Sequence, residues 1–232
     1  MEAPNKIEAQ VAATLSPLTV QATADTRINM SVPHLLSAAS LSRRVGELET
    51  KHANEELGEF WRDIFASACG AVFAATASLE SYANELFIDH ATVFPELREE
   101  VMVKLWELFE QKPILEKFEF ALLIKNGEPF ERGISPYQDV GAIIRLRNGL
   151  IHFKPEWFSA REEHAKLSSH LKHRATLSPF FPSSEPLFPQ GWTSHATVAW
   201  VVKSVLKFFL DFERRANVGP RMGTFKDQFD AL

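Results

Sequence analysis

The 232-residue chain contains one cysteine, Cys69, so an internal disulfide is excluded. A lone thiol within a run of small residues suits a reducing compartment. The first ten residues, MEAPNKIEAQ, lack the basic head and the apolar run of a secretory signal. The uncharged stretch from Ile64 to Leu79 is mostly small residues and is too short to span a bilayer. We therefore expect a cytoplasmic protein without membrane contact.

An excess of basic residues is also lacking, because the formal net charge is −5. Binding of duplex nucleic acid through overall charge is therefore not expected, although a local basic groove stays open. The sequence has no CxxC pair, no P-loop, no GxGxxG after a strand and no GxSxG elbow. The 45% hydrophobic content, including 19 phenylalanines, is enough for a sizeable core.

Only one segment has a β pattern. In the stretch LTVQATADTRINMSV the apolar residues fall on even positions from Leu18 to Val32, which is the period of a strand. A turn near Asp25 would make it a hairpin, and otherwise it needs another chain as a partner. We therefore predict an N-terminal extension over residues 1–33 that contains a β-strand or hairpin.

The rest of the chain has helical periodicity, which predicts an all-α fold, a helical bundle, over residues 34–232. The buried face of the long second helix is predicted at Val72, Phe73, Thr76, Leu79, Ala83, Leu86 and Phe87. That of the last helix is predicted at Val198, Val201, Val202, Val205, Phe208, Phe209 and Phe212. The predicted helices span about 34–51, 54–91, 95–112, 113–125, 136–153, 159–174 and 193–216, with a proline-rich loop at 178–192.

The stretch RLRNGLIHF, residues 145–153, places charges within an apolar helix. At about 100° per residue, Arg145, Asn148 and His152 form one polar stripe with the spacing i, i+3, i+7. Arg147 instead falls within the apolar arc, about 140° away from His152. The stretch is therefore either a satisfied part of the core or a site.

A guanidinium keeps its proton, so a buried arginine needs an acid or a polar cleft. We predict that Arg147 meets Glu80, in the segment LESYANEL, with Glu85 as the substitute. In a purely structural interpretation, Asn148 is a polar residue at a helix contact and His152 interacts favourably with the helix dipole.

Arg147-Asn148-Gly149-Leu150-Ile151-His152 resembles the signature of the HEPN superfamily, an arginine and a histidine separated by about four to six residues with a polar residue after the arginine. Arg145 also satisfies this spacing. The segments IIRL and ATASLESYANELF are similar to those proteins as well, and the likeness covers roughly residues 54–216.

The resemblance implies a homodimeric helical bundle that acts as a metal-independent endoribonuclease, as in toxins and defence effectors. His152 would serve as general base or acid, Arg147 would bind the scissile phosphate, and Asn148 would orient one of these groups. Attack by the ribose 2′-OH would leave a 2′,3′-cyclic phosphate. If Arg147 is committed to Glu80, Arg145 takes the phosphate. Arg145 and Lys154 are the candidate substrate-binding residues.

Two other functions stay open. One is a catalytically silent HEPN-like module that binds nucleotide, nucleic acid or a protein partner such as an antitoxin. The other is a structural helical protein. We expect no cofactor and no metal, because His164, His170 and His173 on a polar helix are too loosely arranged for a metal site. The aromatic residues of the proline-rich loop, which include Phe188 and Trp192, are expected to pack against their own core.

Overall fold

The computed structural model describes residues 27–157, 160 and 162–229, and this part of the chain has no strand. The predicted all-α class is therefore confirmed for these residues. They form eight α-helices in chain order: α1 (Ser31–Lys51), α2 (Trp61–Ile88), α3 (His90–Val93), α4 (Glu99–Phe109), α5 (Ile114–Ile124), α6 (Tyr137–Ile151), α7 (Glu162–Leu171) and α8 (His195–Ala216). A short helical turn lies at Leu187–Gly191 and a 3₁₀ helix at Gly223–Phe229.

Helix α2 is the centre of the bundle and contacts α1, α5, α6 and α8. The apolar face predicted for α8 is confirmed, since all seven of its side chains are fully buried. The face predicted for α2 is buried too, except that Phe73 is 39% exposed. The 3.6-residue period of both helices thus identified the residues that form the core.

The predicted N-terminal β segment lies mostly outside the described residues. Residues 27–30 have no regular structure, and Ser31 and Val32 already belong to α1. Helix α1 therefore begins before the predicted boundary between extension and bundle. Its start is held by Glu85 of α2, whose carboxylate accepts hydrogen bonds from the N–H of Met30 and from the N–H and hydroxyl of Ser31.

Helix α2 is shorter than predicted, because residues 52–60 form a loop instead of its first turns. The ring of His52, just after α1, stacks on Phe60 just before α2, with 4.2 Å between ring centres. This contact folds the loop back and lets α1 and α2 pack against each other.

Among the described residues, α2 is the one helix whose length and apolar composition would allow it to cross a membrane. Half of that apolar stretch is buried inside the bundle, and Ala68, Ala71 and Ala75 are fully buried. Helix α2 is therefore an inner helix of the bundle. Within the same helix, burial raises the pKa of the Cys69 thiol to about 11.

The segment after α8 is fastened to the bundle by one buried carboxylate. Glu213, near the end of α8, is 6% exposed and accepts hydrogen bonds from the Tyr82 hydroxyl and from the N–H groups of Arg221, Met222 and Gly223. Burial and the nearby Glu213 carboxylate raise the pKa of the Tyr82 hydroxyl well above its ordinary value. Tyr82 therefore stays a neutral donor, and the chain is held beside α2 and α8.

Candidate functional site

Helix α6 presents the candidate residues. Val140, Ile143 and Leu146 are buried in the bundle, which leaves the opposite face of the helix accessible. The helix ends at Ile151, and His152 follows in a non-helical conformation, with its N–H donating to the Asn148 carbonyl at 2.9 Å. The predicted end near Phe153 was therefore two residues too late. The ending leaves His152 exposed at the rim of the bundle.

Helix α7 is attached beside α6 by polar contacts at both of its ends. At its start, the Glu156 carboxylate accepts hydrogen bonds from the N–H groups of Glu163 and His164 at 3.1 and 3.2 Å. Carboxylates stabilise helix N-termini in this way. Just past its end, the Arg174 guanidinium pairs with Asp139 of α6 at 3.0 Å.

Gly149 allows the close approach of α6 and α7. A Cβ atom at this position would lie 2.5 Å from Leu167 Cδ2 of α7 and 3.4 Å from the Phe188 ring. A larger residue would force the side chain of Leu167 to move. The glycine of the RNGLIH stretch is thus explained by packing, beside the candidate site.

Between these helices lies an open cleft of about 470 Å³, here called the α6–α7 cleft. Its volume is within the range of about 300–1,000 Å³ that is usual for small-ligand sites. It is lined by Arg145, Gly149, His152, Lys154, Glu163, His164, Lys166, Leu167, His170 and Phe188. Three of the five predicted site residues, namely Arg145, His152 and Lys154, therefore line one cleft.

The α6–α7 cleft is cationic although the chain as a whole is acidic. Three basic side chains line it against one carboxylate, Glu163, which already pairs with Lys166 at 2.6 Å. Arg145 is exposed and forms no ion pair with any described residue, and the same holds for the ammonium of Lys154. Arg145 has no ion-pair partner among the described residues, and Lys154 is only partly balanced by Glu163, so the cleft favours an anionic ligand.

Two further imidazoles belong to the cleft. His164 is 7% exposed, and its Nε2 lies 2.9 Å from the Lys154 carbonyl. His170 is exposed, and its Nδ1 lies 2.7 Å from the Lys166 carbonyl. Because a carbonyl only accepts hydrogen bonds, the ring nitrogen of each pair carries the proton. His170 therefore keeps Nε2 for the cleft, whereas His164 is fixed against Lys154.

Arg147 lies in a different place. It lines a second, smaller depression of about 350 Å³ between α2 and α6, here called the α2–α6 cleft. Its neighbours there include Glu80, the exposed ring of Phe73 and the exposed side chain of Ile151. The structure thus separates Arg147 from His152, as the angle between them on an ideal helix suggested.

The predicted ion pair between Arg147 and Glu80 is not formed. Glu80 instead pairs with the ammonium of Lys117 from α5, which is 2% exposed and also donates to Asn84 at 3.2 Å. A buried ammonium needs a counter-ion more than the half-buried Arg147 does, because its desolvation costs more. The substitute, Glu85, is occupied at the start of α1.

Asn148 is exposed and lines neither of these two clefts. Its side-chain amide contacts no described residue by a hydrogen bond, although its carbonyl accepts the N–H of His152. Among the described residues, Asn148 therefore makes no side-chain hydrogen bond that would support the orienting role implied by the resemblance.

No group of three histidine, cysteine, aspartate or glutamate side chains is arranged to hold a metal ion within residues 27–157, 160 and 162–229. The loop aromatics behave as expected: Phe188 and Trp192 are buried, and the Trp192 indole N–H donates to the Pro189 carbonyl at 2.9 Å.

The sequence prediction missed the contribution of α7. Glu163, Lys166, Leu167 and His170 follow the spacing i, i+3, i+4, i+7, so they occupy one helix face that forms a wall of the α6–α7 cleft. That spacing was visible in the sequence, but a polar helix face is more often solvated than functional.

No protein-family model, curated protein or solved structure matches the chain. The relation to HEPN proteins therefore stays a resemblance carried by the Arg147–His152 motif and the helices around it.

Proposed function

We propose that the protein is a HEPN-like, metal-independent endoribonuclease whose reaction takes place in the α6–α7 cleft. The observation that carries the proposal is that Arg145, Lys154 and His152 line one solvent-open cleft. This arrangement offers a phosphate-binding charge beside a side chain that transfers protons near neutral pH. A histidine sealed in the core would have argued against catalysis, and His152 is exposed.

The chemistry is intramolecular attack on an RNA phosphodiester. The ribose 2′-oxygen forms a bond to phosphorus, the bond from phosphorus to the 5′-oxygen breaks, and a 2′,3′-cyclic phosphate remains. Proton transfer at the 2′-oxygen or the 5′-oxygen falls to His152. Arg145 stabilises the charge that develops on the non-bridging phosphate oxygens, a role that suits the forked donors of its guanidinium.

This proposal transfers the phosphate-binding role from Arg147 to Arg145. The sequence motif favoured Arg147, but Arg147 lines the α2–α6 cleft on the other side of the helix. A homodimer in which the Arg147 of one chain reaches the cleft of the other remains part of what the resemblance implies. Within a single chain, Arg145 is the arginine that shares a cleft with His152.

The test is cleavage of a fluorescent single-stranded RNA in the presence of a metal chelator, followed by analysis of the 3′ ends. We expect His152→Ala and Arg145→Ala each to lower kcat/KM by about 100-fold or more. Arg147→Ala should lower it by less than about 10-fold, because its side chain lies outside the reacting cleft. Ends that carry a 2′,3′-cyclic phosphate support attack by the 2′-oxygen.

Two outcomes contradict this assignment. Equal activity of the wild type and all three variants indicates a contaminating nuclease. If activity is lost in Arg147→Ala but not in Arg145→Ala, Arg147 binds the phosphate and the reaction does not take place in the α6–α7 cleft. Unfolding of a variant is checked by its circular dichroism spectrum and thermal midpoint.

A catalytically silent RNA-binding module is the second candidate, and the excess of cations over carboxylates in the cleft favours it equally. Binding of RNA that weakens with salt, is lost in Arg145→Ala and yields no product would support this function over the ribonuclease.

A further inference from the structure

We propose that His170 is the second proton-transfer residue of the α6–α7 cleft, so that one chain supplies both a general acid and a general base. This inference rests on the proposed ribonuclease function and extends it to a residue outside the HEPN-like motif. It concerns the histidine-containing polar helix, which the sequence pattern had indicated to be a solvated surface.

The reaction needs two proton transfers at different atoms. One group takes the proton of the 2′-OH as that oxygen attacks phosphorus, and another gives a proton to the 5′-oxygen as its bond to phosphorus breaks. The attacking and leaving oxygens lie roughly in line on opposite sides of the phosphorus. A single imidazole such as His152 cannot serve both oxygens in the same step.

His170 lies on the wall of the cleft opposite Arg145 and His152. It belongs to α7, which forms one wall of the cleft, whereas Arg145 and His152 belong to the α6 side. A phosphate bound to Arg145 therefore has imidazoles available from both walls. His152 at the end of α6 and His170 in the last turn of α7 are both exposed, so an RNA strand can reach either ring.

The hydrogen bond of the His170 ring occupies Nδ1 and leaves Nε2 available. Its Nδ1–H donates to the Lys166 carbonyl at 2.7 Å, so Nε2 is the atom that exchanges a proton with the substrate. The backbone of His170 is fixed as well, because its carbonyl accepts a hydrogen bond from Arg174 at 3.1 Å. Arg174 is in turn paired with Asp139 of α6.

His164 is excluded from the same role by its surroundings. It is buried, stacks against Phe153 with 5.2 Å between ring centres, and uses Nε2 on the Lys154 carbonyl. Its Nδ1 is 3.7 Å from the Glu156 carboxylate and faces the cap of α7. His164 therefore positions the wall of the cleft, and His170 is the accessible imidazole.

The charged groups around His170 come from both walls. Arg145 projects from α6, Lys154 from the segment after α6, and the ion-paired Lys166 and Glu163 from α7. Arg174 and Asp139 lie behind its backbone. The balance of these groups is positive, and it favours binding of the phosphate between the two rings.

The experiment compares two substrates. One is an ordinary RNA dinucleotide, and the other is a nucleoside 3′-(p-nitrophenyl phosphate), whose leaving group departs without a proton. His152→Ala and His170→Ala should each slow cleavage of the dinucleotide by about 100-fold or more. On the nitrophenyl ester, the variant that lacks the general acid should recover to within about 10-fold of the wild type, whereas the variant that lacks the base should stay slow.

The pH dependence supplies an independent measurement. The wild type should show a bell-shaped profile of kcat/KM, and each variant should lose one limb of it. His173→Ala is the matched control, because His173 is an exposed histidine at the same end of α7 that does not line the cleft. The His173→Ala variant should retain both limbs of the pH profile and nearly the rate of the wild type.

The outcomes separate this inference from the proposed function. If the wild type cleaves RNA and His152→Ala does not, but His170→Ala behaves like His173→Ala, the inference is overturned and the ribonuclease assignment stands. Equal losses of both histidine variants on both substrates would assign His170 to binding and would also overturn it. If the wild type cleaves neither substrate, the inference and the proposed function fail together.

Discussion

Replacing Glu213 with alanine should lower the free energy of unfolding by about 4 kcal/mol, the largest effect we expect of a single substitution in this chain. The carboxylate accepts four hydrogen bonds in a buried position, from the Tyr82 hydroxyl and from three successive N–H groups of residues 221–223. Its removal leaves these donors unsatisfied and opens a cavity beside them. Urea unfolding followed by tryptophan fluorescence measures the change.

Two variants sharpen this prediction. Tyr82→Phe removes one donor and leaves the other three bonds, so it should cost only about 1 kcal/mol. Arg214→Ala, the exposed neighbour of Glu213, should change stability by less than about 0.5 kcal/mol. A loss below about 1 kcal/mol in Glu213→Ala would show that residues 221–223 contribute little to the folded state.

Replacing Glu80 with alanine should cost about 3 kcal/mol, because it leaves the ammonium of Lys117 buried without its counter-ion. The figure is at the low end of the usual range, since Asn84 and the ring of Trp106 still contact that ammonium. Replacing Lys117 with methionine in the same chain should recover much of the loss, because an apolar side chain suits the position.

Arg147→Ala is the matched control for Glu80→Ala. The structure pairs Glu80 with Lys117, so Arg147→Ala should cost less than about 1 kcal/mol and should be additive with Glu80→Ala. A large and non-additive loss with both substitutions would show that Glu80 and Arg147 interact in solution. It would also restore the pair that the sequence alone predicted.

Features that depend on local periodicity could be predicted from the sequence. The buried face of α8 follows from the helical repeat of its valines and phenylalanines, and the separation of Arg145 from Arg147 follows from helix geometry. Each of these two predictions needs only the order of residues along a single helix. The turn that shortens α2 depends instead on the stacking of His52 on Phe60, which no periodic pattern records.

Features that depend on pairing between helices could not be predicted in the same way. Helix geometry places the permanent charge of Arg147 within an apolar arc, and this predicted Arg147 as the partner of Glu80, whereas the sequence analysis did not identify Lys117. Burial explains which of these residues pairs with Glu80. Lys117 is 2% exposed and therefore needs a counter-ion more than Arg147, which is only half-buried. The place of His170 in the cleft could not be predicted either, because it depends on how α7 packs against α6, which no pattern within α7 records.

The way α7 is attached has a consequence for how a long strand enters the cleft. The buried residues of this helix are His164 and Leu171, and it is held by the Glu156 cap and the Asp139–Arg174 pair, whereas α6 is anchored by four buried apolar side chains. Segments with so little burial open locally, at a fraction of the free energy that unfolds the core, on microsecond to second timescales. The α7 wall is therefore expected to open more readily than the α6 wall. For the ribonuclease that we propose, this would let an RNA strand enter the cleft from the side, without a free end.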